Sequence, residues 1–132
     1  MVISVSVVVV ISKAQASELV VIGNTNVPKM DSAMIQKIYM GKVILIAGIN
    51  IIPVAAKQGT AQRDRFLQVF LAQDEEKYTG YWTVRRYIGK GTPPLELNNT
   101  VEMINYVQST PGAIGYIDET ELKAGMNVIA RK

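Results

Sequence analysis

The sequence predicts an α/β domain. Short apolar runs bounded by turn residues occur at Glu18–Ile22, Ile51–Ala56 and Ala113–Ile117. Between them, apolar residues recur at helical spacing. Strands alternating with helices are the mark of a sheet covered by helices.

Glu18 to Ile22 reads as a buried strand that stops at Gly23-Asn24. A helix then begins at Asp31, a good N-cap, with Met30 and Ile35 placed as a hydrophobic staple. It carries Met34, Ile35, Ile38 and Tyr39 and ends at Gly41-Lys42. Val43 to Ile46 is strand or loop, and Gly48-Ile-Asn50 turns the chain. Ile51 to Ala56 is the second buried strand, which Pro53 marks as an edge or a bulge. Gly59-Thr60 opens a helix whose apolar face is Phe66, Leu67, Val69, Phe70 and Leu71. Asp74 caps the next helix, with Glu75 and Glu76 in its first turn, where the helix dipole favours acids. That helix carries Tyr78, Tyr81, Trp82 and Val84 and fades at Gly89. Gly89 to Pro94 is a tight loop. A last helix follows Asn98-Asn99, with Val101, Ile104, Tyr106 and Val107 as its apolar positions. Ala113 to Ile117 is the third strand, and Asn127 to Ala130 a candidate fourth.

Composition excludes several kinds of chemistry. The 132 residues include no cysteine and no histidine, which removes disulfides, thiolates, the usual general base and the commonest metal ligand. A formal charge of +3 with basic residues scattered along the chain provides no nucleic-acid footprint. Val2 to Ile11 is an apolar run too short to span a membrane, and Ala14-Gln15-Ala16 matches the small-x-small cleavage pattern of a secretory signal. Residues 1–16 are therefore expected to be a cleaved signal peptide, with 17–132 as the mature domain and no membrane span after cleavage. The alternative is a buried first strand.

Lys57-Gln-Gly-Thr-Ala-Gln-Arg-Asp-Arg-Phe66 carries the leading functional idea. It is a glycine-hydroxyl turn running into a helix, and the first N–H groups of a helix have no partners of their own, so they suit an anion. The plain alternative is an N-cap serving its own helix. Arg65, beside Asp64, reads as solvent-facing, and Arg85-Arg86 reads as a solvated helical face or a partner surface. Trp82 with Tyr78 and Tyr81 reads as core. Gly89-Lys-Gly-Thr-Pro-Pro94 lacks the spacing and following helix of a P-loop. Glu75/Glu76 and Asp118/Glu119/Glu121 lack the spacing of paired acid-base groups or a metal cage. An enzyme is the poorest of the function classes.

Three segments together resemble the phosphate-binding proteins of ABC importers. Asn24 through Lys42, ending Ile-Tyr-Met-Gly-Lys, is similar to the stretch after their first hinge strand. Gly59-Thr60 followed by Arg63 and Phe66 resembles their phosphate turn, and Thr110-Pro-Gly-Ala-Ile-Gly-Tyr-Ile117 resembles the strand that closes the same lobe. The resemblance implies a three-layer α/β/α single lobe of a type-II periplasmic-binding-protein architecture, in a small single-domain family. It implies extracytoplasmic binding of phosphate or a similar oxyanion, in the periplasm or secreted. Gly59 and Thr60 would supply N–H and hydroxyl donors, while Lys57, where the importers usually carry arginine, and Arg63 would balance charge. No cofactor or metal is implied. Partners would be an ABC transporter permease, or a second lobe supplied by homodimerisation. The rival expectation is an exported lobe used for protein–protein contact without a small ligand.

Overall fold

The computed structural model describes residues 3–6 and 17–132, so the expected leader lies mostly outside the described residues; residues 3–6 are exposed and form no helix or strand. Strand β1 (Leu19–Gly23) is buried at every position, as a continuous apolar run requires of a strand covered on both faces. Helix α1 (Ser32–Tyr39) starts where the Asp31 carboxylate accepts the Met34 N–H at 2.9 Å. A small hairpin of β2 (Leu45–Ile46) and β3 (Ile49–Asn50) turns through Ala47 and Gly48, both at positive φ, the backbone a two-residue hairpin turn demands. There follow β4 (Ile52–Ala56), α2 (Ala61–Phe66), a π-helical continuation (Leu67–Leu71), α3 (Glu75–Tyr87), β5 (Leu95–Leu97), α4 (Thr100–Ser109), β6 (Ala113–Asp118), a 3-10 turn (Glu119–Glu121) and β7 (Asn127–Arg131).

Five strands form the main sheet in the order β5-β4-β6-β1-β7. β4 runs parallel to β5 and β6, and β1 runs antiparallel to β6 and β7. Four strands thus point one way and β1 alone is reversed. The sheet separates two helical layers. Tyr116 on β6 meets the rings of Phe66 on α2 and Tyr39 on α1. Its neighbour Gly115, facing the other way as strand alternation dictates, lies against Met103 and Val107 of α4. The core is the buried sheet with Ile35, Ile38, Tyr39, Phe66, Leu67, Phe70, Leu71, Tyr78 and Trp82 on one side and Met103 and Val107 on the other. No helix among the described residues is long and apolar enough to cross a membrane.

Three expectations are corrected. Pro53 lies neither on an edge strand nor at a bulge, because β4 sits between β5 and β6. Ile52 N–H bonds Gly112 O on the β6 side, so position 53 faces β5, whose pairing begins only at Val54; the missing N–H removes no ladder bond. Strand β5, three residues long on an edge of the sheet, occupies a stretch to which the sequence reading assigns no element. In α4 the buried residues are Met103 and Val107, while Val101 is exposed. The helix opened by Thr60 also changes character: it widens to π after Phe66 and closes at Ala72, in the left-handed region, with Gln73 N–H reaching back to Leu67 O at 3.1 Å.

Candidate functional site

The turn from Lys57 to Thr60 joins the carboxyl end of β4 to the start of α2. Lys57 N–H is held by Leu97 O of β5 at 3.1 Å, so the neighbouring edge strand fixes the turn's height. Gly59 adopts φ +91 with open space where a side chain would lie. The Thr60 hydroxyl caps α2 and braces the turn: it accepts Arg63 N–H at 3.3 Å and donates to Lys57 O at 2.8 Å. Lys57 and Gly59 are exposed, and Thr60 is partly so.

Arg63 points the other way, into the protein. It is 7% exposed. Its Nη1 donates to Ala56 O at 3.3 Å and to Glu96 Oε1 at 3.2 Å. Nη2 donates to Glu75 Oε2 at 3.2 Å. Nε lies 2.7 Å from Glu75 Oε1 as an ion pair, though its N–H is not aimed along that contact, so Nη2 carries the hydrogen bond. The guanidinium also sits 5.6 Å from the centre of the Tyr78 ring. Burying a guanidinium is tolerable only with partners of this kind.

Glu96 completes the arrangement. The Oε1 atom that meets Arg63 also accepts the backbone N–H of Gln58 at 2.7 Å. The turn therefore already holds an anionic oxygen between one backbone N–H and one guanidinium, donors that suit any oxyanion. Beside it opens a cleft of about 200 Å³ lined by Gln58, Arg63, Tyr78, Thr79, Arg86 and Glu96, with Trp82 and Pro93-Pro94 behind.

Of the four residues expected to bind, only Arg63 lines this cleft, while Lys57, Gly59 and Thr60 lie outside its lining. Gln58, Glu96 and Glu75 went unforeseen. For Glu96 a signal existed: Leu95-Glu-Leu97 between Pro94 and Asn98 has the alternation of a strand. Arg65 is not simply solvent-facing, since Nη1 pairs with Asp118 Oδ2 at 2.7 Å. Arg85 likewise leaves the solvated face, donating to Gly41 O at 3.1 Å and lying over Tyr81 and Trp82. Trp82 is core, as expected.

Behind the turn stands a shell of tyrosines. The Tyr116 hydroxyl accepts Ala56 N–H at 2.8 Å, Tyr39 donates to Val54 O at 2.9 Å, and Tyr78 donates to Tyr39 O at 2.8 Å. Burial pushes the Tyr78 phenol up to about 12 and raises those of Tyr39 and Tyr116 well above their ordinary value. All three act as neutral hydrogen-bonding groups at neutral pH.

Among solved structures, the chain is similar to a protein assigned as a phosphate ABC transporter substrate-binding protein, with bound phosphate, from Clostridium perfringens. The TM-score is 0.66 at 19% identity, over 86% of this chain and 45% of that one. PstS from Borrelia burgdorferi matches with a TM-score of 0.62 at 14% identity, over 86% of this chain and 47% of that one. An ABC-type phosphate transport receptor from Vibrio cholerae matches at 0.58 and 14%, over 86% and 46%. The chain thus spans about half the length of these structures. No protein family matches the sequence, and no curated protein is similar to it. The expected α/β lobe of the periplasmic-binding-protein fold is the fold observed.

Proposed function

We propose that this chain is an exported lobe that recognises phosphate or a similar oxyanion at the turn from Lys57 to Arg63. One observation carries the reading: the turn holds the Glu96 carboxylate on Gln58 N–H and Arg63 Nη1, so its donors already stabilise an anionic oxygen. The fold shared with phosphate-binding proteins supports the same ligand class. Lys57 and Gly59 supply charge and close backbone approach from the outer side, and Thr60 sets the helix start.

Magnitude limits the affinity. Phosphate has five heavy atoms, and the best small ligands gain about −1.5 kcal/mol per atom, so a low-micromolar dissociation constant is the ceiling. Half a cleft open to water falls well short of it. The lone lobe should bind at high-micromolar to millimolar concentration, and a second lobe, supplied by homodimerisation or by a transporter permease, should tighten binding. Removal of residues 1–16 and release to the periplasm or the exterior belong to the same reading.

A second reading, an exported interaction domain without a small ligand, is favoured by the charge balance: Arg63 faces two carboxylates, Glu75 and Glu96. Isothermal titration with phosphate and then sulfate, beside the mass in solution, separates the two. Arg63 is too buried to serve as the diagnostic substitution, so Lys57→Ala and Thr60→Ala are the variants to compare. Millimolar phosphate binding weakened by both supports the oxyanion reading. No heat at millimolar ligand supports the interaction domain.

A further inference from the structure

We infer that Glu96 is an internal ligand of the oxyanion seat, one that an incoming anion must displace; the inference rests on the oxyanion reading above. Glu96 lies on the edge strand β5, where it is paired with Ala55 of β4, and this pairing aims its side chain across the turn. Its Oε1 takes two donors at once, Gln58 N–H at 2.7 Å and Arg63 Nη1 at 3.2 Å. Those two contacts are asymmetric in what they need. Arg63 keeps Glu75 and Ala56 O if Glu96 leaves, so its buried charge stays paired. Among the described residues Gln58 N–H has no such second partner and would be presented to the cleft.

The Glu96 side chain is itself 43% exposed, against 22% for Glu75. A half-exposed carboxylate on an edge strand can swing into water at little desolvation cost, whereas Glu75 is pinned between Arg63 and the helix it begins. The two acids therefore have different roles: Glu75 neutralises Arg63 permanently, and Glu96 does so only while the seat has no other occupant. Displacement also changes the local charge. With Glu96 in place Arg63 faces two carboxylates, and an added dianion is repelled by the nearer of them; with Glu96 swung out, that repulsion falls with distance and screening. Competition of this kind lowers the apparent affinity by the fraction of molecules in which the seat is open.

The test uses the whole chain, its Glu96→Ala and Glu96→Gln variants, inorganic phosphate as the probe, and the Gln58 amide resonance in the absence of phosphate. Hydrogen bonds to charged groups are strong enough that Glu96→Ala should bind phosphate roughly tenfold more tightly than the unmodified chain. Glu96→Gln, which keeps the shape and loses the charge, should fall between them, and the Gln58 amide should shift in both variants. Equal phosphate affinity in all three proteins overturns the inference and leaves the oxyanion reading standing. A Gln58 amide that does not move in Glu96→Ala overturns the inference as well, by showing no contact in solution. A Gln58 amide that moves while no variant binds phosphate overturns both.

Discussion

The ring of Tyr116 lies flat on that of Phe66, with centroids 4.0 Å apart and planes 2° from parallel. The stack joins β6 to α2, and the same tyrosine's hydroxyl accepts Ala56 N–H at the end of β4. One side chain thus ties together the strand before the turn and the helix after it. Tyr116→Phe keeps the stack and leaves Ala56 N–H buried without its partner, which should cost about 1–3 kcal/mol. Urea unfolding with an unchanged slope and a lower midpoint is the expected result.

Arg63→Ala should destabilise by about 2–4 kcal/mol. Removing one member of a buried ion pair typically costs about 3–5 kcal/mol, and the partial exposure of Glu75 and Glu96 reduces it. The additional substitution Glu75→Gln should recover part of the loss, since the more buried of the two stranded carboxylates is then neutral. Denaturant midpoints of the single and double variants measure that coupling.

Gly112→Ala, in the buried turn that leads into β6, should be strongly destabilising. Gly112 sits at φ +80, and a Cβ there would collide with the carbonyl oxygen of Asn50. Gly48 has the same φ with open space around it, so Gly48→Ala reports conformational strain alone, about 1–3 kcal/mol. A larger loss at Gly112 in chemical denaturation isolates the collision.

Asp118 makes acid stability specific. The Ser17 hydroxyl and the Thr120 N–H, with Arg65 beside them, hold its carboxyl well below its ordinary value of 3.8. A depressed folded pKa contributes stability above the unfolded value and loses it as pH falls through the folded one. Asp118→Asn should therefore melt lower than the unmodified chain near neutrality, and the gap should close as pH drops below about 4. A gap that persists unchanged to pH 2 would assign the loss to something other than the charge.

At the alkaline end the buried tyrosines act in the opposite sense. Their raised pKa values mean that stability is complete below the unfolded value near 10 and is lost as pH rises towards the folded ones. Thermal melts should fall steeply above about pH 10, and Tyr116→Phe should flatten that fall.

The fold was legible in the sequence wherever a local rule suffices. Asp31, Thr60 and Asp74 each cap the helix they were expected to start, because a cap is a contact three residues long. The buried runs became β1, β4 and β6 because apolar residues without alternation need cover on both faces. The turn at Gly59-Thr60 was legible for the same local reason. What happens around it was decided only by tertiary structure. Arg63 meets Glu75 12 residues away and Glu96 33 residues away, and Gln58 meets Glu96 across 38 residues. Nothing in the spacing of those residues announces the contacts. They exist because β5, a three-residue edge strand, pairs with β4 and carries Glu96 to the turn. The sequence by itself thus determined a sheet, its helices and a glycine-hydroxyl turn; the packing of β5 against β4 determined that a carboxylate of the chain itself, Glu96, sits on that turn.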